Sequence, residues 1–192
     1  MRESLAKIPL KGPVGRSRAA FGRDGLIEIY LEVCFMAMKK VAIVLGSKSD
    51  LEYIEGAKEV FEKFGIPYEI KILSAHRTPE ETAKFAKYAE EEFEVIIAAA
   101  GYAAHLPGVI AAYTLLPVIG IPIPSSDLKG VDSLLSIVQM PSGIPVATVT
   151  IGKAGAKNAA YLAIEIMALK YPKLRELLKQ EREKMKQKVL NG

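Results

Sequence analysis

The stretch Leu73-Ser74-Ala75-His76-Arg77-Thr78-Pro79 joins an alternating segment to a strongly helical one. We interpret it as a strand-to-helix loop. The Thr78 hydroxyl can cap the helix that follows, Pro79 suits the first helical position because its missing N–H has no partner there, and Glu81 would complete a capping box. The residues just before Thr78 are therefore predicted to lie at the N-terminus of a helix.

His76 and Arg77 are the residues of this loop that can carry chemistry. A helix N-terminus has a partial positive charge and unpaired backbone donors, and Arg77 adds a full charge, so an anion such as phosphate would be favoured there. An imidazole that is neutral near pH 7 can take up a proton and return it, which makes His76 a candidate general acid–base. The alternative is a hydrogen-bonded loop pair without a substrate, and this stretch alone leaves both open.

Segments with a strand pattern alternate with segments with a helix pattern on both sides of this loop. Five short apolar or alternating segments are predicted as strands, at 41–45, 68–73, 94–99, 117–121 and 146–151. Helical patterns lie at 51–64, 80–92, 107–113, 131–138 and 154–169, and from 172 to about 189. Strands that alternate with helices form parallel sheets covered on both faces. We therefore predict an α/β fold, a flavodoxin-like three-layer sandwich with a central parallel sheet, plus a C-terminal helix.

Composition bounds the domain count and the partners. With 192 residues, of which 50% are hydrophobic, the chain is long enough for one domain with its own core. A net charge of +4, without a basic stripe or a nucleic-acid-binding motif, argues against nucleic acid as a partner. Charged or turn residues interrupt every long apolar run, so neither a membrane-spanning helix nor a signal peptide is predicted. The one cysteine, Cys34, cannot form an internal disulfide, which favours a reducing cytoplasm.

Residues 1–37 lack the alternation of the rest of the chain. Glycines and prolines interrupt them as far as residue 25, and the folded pattern starts at about Met38. We predict a single catalytic domain at 38–192, behind a leader that is disordered or that comes from an over-extended reading frame. The alternative is a packing arm, because the alternating segment 26–33 could pair as a strand and cross to another subunit.

The loop after the first predicted strand is Gly46-Ser47-Lys48-Ser49-Asp50. Its glycine allows a sharp turn, its serine hydroxyls and N–H groups can bind a phosphate, and Asp50 can cap the next helix or accept hydrogen bonds from a sugar. The spacing fits neither the P-loop nor the dinucleotide-binding pattern, so no site for a nucleoside triphosphate or a dinucleotide is predicted. For Asp50 in isolation, a plain turn with an N-cap is the better explanation.

The third predicted strand leads into Ala100-Gly101-Tyr102-Ala103-Ala104-His105-Leu106-Pro107-Gly108, which holds the only other histidine of the chain. Both histidines thus follow the carboxyl ends of predicted parallel strands, the edge at which ligands bind in open α/β sheets. A solvated or capping histidine is the alternative for each. Two histidines far apart in sequence, without a Cys/His cluster, do not predict a zinc site.

Five motifs, taken together and in order, resemble the N5-carboxyaminoimidazole ribonucleotide mutase family. They are Gly-Ser-Lys-Ser-Asp at 46–50, Ser-Ala-His-Arg-Thr-Pro at 74–79, Ala-Ala-His-Leu-Pro-Gly at 103–108, Ser-Ile-Val-Gln-Met-Pro at 136–141 and Gly-Lys-Ala-Gly-Ala at 152–156. The resemblance covers about residues 40–190. It implies an octamer with active sites at subunit junctions, and neither a metal nor an organic cofactor. It also implies a step of de novo purine biosynthesis that follows an ATP-dependent carboxyaminoimidazole ribonucleotide synthetase.

The resemblance also implies roles for individual residues. In the family, the carboxylate on the exocyclic nitrogen of the ribonucleotide leaves as carbon dioxide, stays in the pocket and rejoins at the neighbouring ring carbon. Carried over to this chain, His76 would move the protons, and the loop of the second catalytic candidate, His105, would close over the carbon dioxide. The implied substrate-binding residues are Gly46, Ser47, Ser49, Asp50, Ser74, Ala75, Arg77, Gly101, Ala104 and Leu106, among which Ser47, Asp50 and Arg77 would hold ribose and phosphate.

Two departures from the family pattern and two alternative functions stay open at this point. Tyr102 stands where the family usually has a glycine, and Pro124 where a glutamine is common. A related aminoimidazole ribonucleotide carboxylase uses free carbon dioxide, but it usually has lysine in place of Arg77 and lacks the histidine at position 105. A non-catalytic, nucleotide-phosphate-binding module of flavodoxin-like fold is the second alternative.

The apolar content also predicts a homo-oligomer. The alanine-rich helix at 154–168 and the proline-stiffened loop at 122–124 are poor solvent-facing surfaces. We expect a partner subunit to cover them, so that a lysine in place of Ala160 would break the assembly.

Overall fold

The computed structural model describes residues 38–192, and within them five parallel strands form one sheet. The strands are β1 (Lys40–Leu45), β2 (Tyr68–Ile72), β3 (Phe93–Gly101), β4 (Val118–Ile123) and β5 (Ala147–Thr148). Their order across the sheet is β2-β1-β3-β4-β5, and each neighbouring pair is parallel. The predicted leader, with Cys34 and the segment 26–33, lies outside the described residues.

Helices cover both faces of this sheet, as predicted for the α/β sandwich. They are α1 (Glu55–Phe64), α2 (Pro79–Tyr88), α3 (Leu106–Ala111), α4 (Val131–Val138), α5 (Lys153–Met167) and α6 (Pro172–Leu190). Within residues 38–192, no helix combines the length and the apolar character that crossing a bilayer requires.

The two faces of β1 explain why this strand is continuously apolar. Its odd-numbered residues, such as Ile43, pack with α1, α5 and α6, whereas Ala42 and Val44 pack with α2 and α3. A strand that is buried on both faces cannot alternate apolar with polar residues. The run of apolar residues in the sequence therefore reflects a central position in the sheet.

The chain order places a crevice beside β1. The chain leaves β1, returns as β2 on one side, and then returns as β3 on the other side. At such a switch point the loops at the carboxyl ends of the strands diverge, and a ligand can bind between them. The three motif-bearing loops predicted from the sequence follow β1, β2 and β3.

Several predicted elements have the wrong bounds. The helix predicted at 51–64 is a 3₁₀ helix at Lys48–Tyr53 followed by α1, with a bend at Ile54. The strand predicted at 146–151 is ladder-paired only over Ala147–Thr148. Its neighbour β4 contains Pro122, which has no N–H to donate to a continuing ladder.

The expectation that the alanine-rich helix has to be covered by a partner subunit is also wrong. In α5, the alanines 156, 159, 160 and 163 are fully buried in the core that the protomer forms with α1 and the sheet. Pro122 and Ile123 are buried within β4 and are not part of a loop. Both segments are buried within the protomer, so they are not evidence that the chain forms an oligomer.

Substitution of Ala160 tests whether this residue lies in the core of the protomer or in a subunit interface. Ala160→Lys buries an unpaired charge where no space exists, which should cost at least about 3–5 kcal/mol and lower the melting temperature steeply. Thermal melting followed by circular dichroism measures this. Ala154→Lys, at an exposed position of the same helix, is the matched control and should stay within about 0.5 kcal/mol of wild type. A folded, stable monomer of Ala160→Lys would contradict the burial described here.

Candidate active site

A cavity of about 380 Å³ lies at the carboxyl edge of the sheet, at the switch point beside β1. The loops after β1, β2 and β3 form most of its wall, and the loop after β4 adds one residue. The lining residues are Gly46, Ser47, Ser49, Asp50, Ser74, Ala75, His76, Arg77, Ala100, Gly101, Tyr102, Ala104, Leu106 and Ser125. Every residue predicted for the site is among them except His105.

The loop after β1 satisfies its own backbone donors. Ser47 N–H donates to Asp50 Oδ2 (3.1 Å), and Ser49 N–H donates to Ser47 Oγ (3.3 Å). These two bonds form a capping box at the start of the 3₁₀ helix, with Ser47 as the N-cap. The expectation that both serine N–H groups face a phosphate is therefore wrong. The Ser49 hydroxyl donates to Ser47 Oγ (2.9 Å), so the Ser47 hydroxyl is the donor that these two serines can offer to a ligand.

Asp50 is the buried carboxylate of the cavity wall. Burial raises the pKa of Asp50 above its ordinary value, because the charged form loses contact with water. The Ser47 amide, the Ser49 hydroxyl and the positive charge of Arg77 oppose this shift. The loop therefore holds the Asp50 carboxylate in place as a hydrogen-bond acceptor, while burial disfavours its ionised form.

The loop after β2 closes on itself through Thr78. Thr78 Oγ1 accepts from Ser74 N–H (2.9 Å) and donates to the Ser74 carbonyl (3.1 Å). The predicted capping box with Glu81 is wrong, since no side-chain hydrogen bond caps α2, although Pro79 does occupy its first turn as predicted. The Thr78 hydroxyl bonds to the backbone of Ser74 instead, because these groups lie close to it in a tight turn. His76 and Arg77 lie within this turn and line the cavity.

Arg77 ties this loop to the loop after β1. Its Nη2 donates to the Gly46 carbonyl (2.8 Å), and its Nε donates to Ser74 Oγ (3.4 Å). A guanidinium has five N–H donors, so several are left for an anion in the cavity. The side chain is thereby oriented before any ligand arrives.

The imidazole of His76 is exposed and lines the same cavity. Within residues 38–192, no hydrogen bond to either ring nitrogen of His76 is found. Both nitrogens are therefore free to exchange a proton with a ligand, which is the geometry that a general acid–base requires.

The imidazole of His105 is engaged elsewhere. Its Nδ1 is hydrogen-bonded to the Ser136 carbonyl in α4, so Nδ1 carries the proton that is donated. The ring also packs over Gly108, where a Cβ would lie only 2.3 Å from His105 Nε2. His105 starts α3 with a positive φ of 50°. This histidine thus anchors the loop after β3, and its ring is outside the cavity in which a catalytic role was predicted.

Ser125, Ala100 and Tyr102 line the cavity although they were not predicted as site residues. A Cβ on Gly101 would lie 1.8 Å from Ser125 Oγ, so Gly101 has to lack a side chain for this serine to reach the cavity. The signal that could have identified Ser125 is its place just after the fourth strand, at the edge where the other loops meet.

A metal site is not apparent in the described part of the chain. Across residues 38–192, no three His, Cys, Asp or Glu side chains are grouped so that they could hold a metal ion.

The raised pKa of Asp50 predicts a pH-dependent stability difference. Because the folded-state pKa is above the unfolded value, the stabilisation that Asp50 provides is complete at low pH and is lost as the pH rises through that pKa. Asp50→Asn keeps an acceptor for Ser47 N–H but does not ionise. Relative to wild type, its melting temperature should rise by about a few degrees at pH 7, and the gain should vanish in acid. A variant that is less stable than wild type by the same amount at every pH would contradict this.

The chain matches a known protein family. The family model described as AIR carboxylase matches residues 40–188. The N5-carboxyaminoimidazole ribonucleotide mutase of Saccharolobus solfataricus is 58% identical over 155 residues, which make up 80% of this chain and 97% of that protein. The mutase of Escherichia coli K12 is 54% identical over 154 residues, which make up 80% of this chain and 91% of that protein.

A solved structure extends the likeness to three dimensions. The crystal structure of Treponema denticola PurE superposes with a TM-score of 0.71 at 33% identity, and the match covers 79% of this chain and 94% of that one. The resemblance inferred from the five motifs is confirmed by these matches, since the family model spans all of those motifs. The chain belongs to the AIR carboxylase family.

Proposed function

We propose that this chain is an N5-carboxyaminoimidazole ribonucleotide mutase of de novo purine biosynthesis. It would move the carboxylate of the substrate from the exocyclic nitrogen to the ring carbon and give 4-carboxy-5-aminoimidazole ribonucleotide. The observation that carries the proposal is the free imidazole of His76 beside the oriented guanidinium of Arg77 in one cavity. Relatives that are 54–60% identical are named for this activity.

Substrate binding follows from the side chains that face the cavity. The remaining N–H donors of Arg77 and the hydroxyl of Ser47, which the Ser49 hydroxyl orients, would hold the 5′-phosphate through charge-assisted and neutral hydrogen bonds. The Asp50 carboxylate, fixed by the capping box, would accept from the ribose hydroxyls. The substrate would thus be oriented by groups that need no rearrangement on binding.

The proton balance of the reaction requires one group that both gives and takes a proton. As the bond from the exocyclic nitrogen to the carboxyl carbon breaks, His76 would donate a proton to that nitrogen, and carbon dioxide would form. After the new bond to the ring carbon forms, the same imidazole would remove the proton from that carbon. Ala75, Ala104 and Leu106 supply an apolar wall that can hold carbon dioxide away from water.

The supporting proposals concern supply and location. The substrate would come from an ATP-dependent carboxyaminoimidazole ribonucleotide synthetase, since the reaction starts from a carboxylated nitrogen. Neither a metal nor an organic cofactor is proposed. The cytoplasm is the proposed location, because the single cysteine fits a reducing compartment.

The choice of carboxyl donor tests the proposed activity. The purified chain is given N5-carboxyaminoimidazole ribonucleotide in one assay, and aminoimidazole ribonucleotide with bicarbonate in another. We expect the carbon-carboxylated product from the first at limiting bicarbonate. Product from the second alone would identify a carboxylase that uses free carbon dioxide, and nucleotide binding without product in either would identify a non-catalytic module.

In the same assay, His76→Asn should lower turnover by about 10²–10⁴-fold and leave nucleotide affinity within a few-fold of wild type, because a proton transfer is made only in the transition state. His105→Asn is the matched control. It should have the milder effect on turnover, since its ring is bonded to Ser136 and lies outside the cavity. Complete loss of activity in His105→Asn, with an active His76→Asn, would reverse the two assignments.

We also propose that the chain is a homo-oligomer, and the resemblance to the mutase family sets the number at eight. The surface that supports assembly is an apolar stripe formed by Leu128, Val131, Leu135 and Val138, which are 63%, 51%, 52% and 47% exposed. The last three are spaced i, i+4 and i+7 along α4, whose opposite side packs on β4 through the buried Ile137. A contiguous exposed apolar stripe of this kind is typical of a protein interface.

Light scattering tests the assembly. The wild-type chain should have a mass near eight times 20.9 kDa, and Leu135→Glu should lower that mass because it places a charge in the buried interface. Leu169→Glu, at an exposed leucine away from the stripe, is the control and should keep the wild-type mass. An active wild-type monomer would remove both the octamer and the active site shared between subunits.

A further inference from the structure

Tyr102 has a backbone conformation that its residue type disfavours. Its φ is +53°, in the left-handed region that glycine adopts without penalty and that an aromatic residue adopts rarely. Tyr102 immediately follows β3, in the loop that lines the cavity. Strained residues of this kind persist where the surrounding structure holds them, and they concentrate at ligand-binding sites.

The loop around Tyr102 is held at both ends. On one side, Gly101 lies beneath Ser125, at a separation that leaves no room for a Cβ. On the other side, His105 is hydrogen-bonded to the Ser136 carbonyl. The residues on both sides of Tyr102 are therefore fixed by Ser125, just after β4, and by Ser136 of α4.

The ring lies at the mouth of the cavity. Tyr102 lines the cavity, yet 63% of the residue is exposed. In residues 38–192, we find neither a hydrogen bond to its hydroxyl nor an aromatic partner for its ring. The isolated protomer thus exposes most of an aromatic side chain in a strained conformation, without a hydrogen-bond or aromatic partner inside the described part of the chain.

The strand order sets the spacing between the loop of Arg77 and the loop of Tyr102. Arg77 follows β2 and Tyr102 follows β3, and these strands are separated by β1 in the sheet. Two strand spacings amount to about 10 Å. This is on the order of the distance from a 5′-phosphate to the far side of the base in a mononucleotide. Between them, Ala100 and Ala104 form an apolar wall without bulky side chains.

We propose that Tyr102 is a specificity-determining residue whose ring stacks on the planar heteroaromatic ring of the bound nucleotide and covers the mouth of the cavity. The identity of that ring as an aminoimidazole rests on the proposed function. Aromatic rings stack on bases through their π faces and exclude water from the covered side. The ring that the isolated protomer exposes would then be buried by the ligand itself.

Two ligands that share a phosphate and a sugar, of which only one has a base, show whether Tyr102 contributes to binding of the base. Isothermal titration calorimetry measures binding of 4-carboxy-5-aminoimidazole ribonucleotide and of ribose 5-phosphate, which has the same phosphate and sugar. Tyr102→Gly should weaken nucleotide binding roughly tenfold, which corresponds to the loss of one stacked ring, and should leave ribose 5-phosphate binding within about twofold. Tyr102→Phe should bind both ligands as wild type does. In turnover assays, Tyr102→Gly should raise KM more than it lowers kcat.

The stability of the same variants provides a second readout. Tyr102→Gly should melt at or above the wild-type temperature, because glycine relieves the strain at φ +53°. Tyr88→Ala is the matched control, since Tyr88 is also an exposed tyrosine but lies in α2 outside the cavity. It should bind both ligands as wild type does.

Three results would overturn the proposal. Equal weakening of both ligands in Tyr102→Gly would assign Tyr102 to loop folding, and unchanged binding of both would place its ring outside the complex. A lower oligomer mass in Tyr102→Gly would make it an interface residue. If the wild-type chain binds the nucleotide through Tyr102 but does not convert N5-carboxyaminoimidazole ribonucleotide, the mutase function fails and the stacking stands.

Discussion

Burial of β1 on both faces and on both edges is the constraint on which this structure depends. A parallel strand in that position needs hydrogen-bonded neighbours on each side, and the chain supplies them as β2 and β3. Parallel strands carry all their carboxyl ends to one edge, so three loops that are far apart in sequence become neighbours there. The candidate active-site cavity is a consequence of this topology, and the motif residues occupy a crevice that the sheet order creates.

The loops after β1 and β2 use several of their backbone donors on themselves. The Ser47–Asp50 capping box and the Thr78–Ser74 closure hold each loop rigid before a ligand arrives. The phosphate that we propose as a ligand would then be recognised by side chains, chiefly by Arg77, which also bridges two of the loops. This division makes the site preorganised, since the groups that hold the shape are different from those left free to bind.

The distribution of apolar surface separates folding from assembly. The alanines of α5 let this helix approach α1 and the sheet closely, and they are used up in the core of the protomer. The stripe on α4 is apolar without being covered, and Tyr102 is an exposed aromatic residue at the cavity mouth. Among the apolar side chains that the described protomer leaves exposed, we propose a partner subunit as the cover of the α4 stripe and a ligand as the cover of Tyr102.

The sequence by itself determined the fold class, the places of the five strands and the loops that carry the site. These follow from hydrophobic periodicity and from turn residues, which act over a few neighbouring residues. The loops after the first two strands gave Asp50, His76, Arg77 and the glycine and serines before Asp50 as candidates, and the family resemblance added the other predicted residues that line the cavity. Local pattern was sufficient there because the relevant side chains lie next to the strand ends that position them.

Only the tertiary structure decided which of several possible partners each polar group takes. Thr78 bonds to Ser74 instead of capping α2, His105 turns to the Ser136 carbonyl in α4, and Ser125 enters the cavity above Gly101. The burial of α5 within the protomer and the short length of β5 likewise depend on contacts with segments that are distant in sequence. Each outcome is set by distances between residues far apart in sequence, and a hydrogen bond or a close packing contact depends on such distances to within a fraction of an ångström.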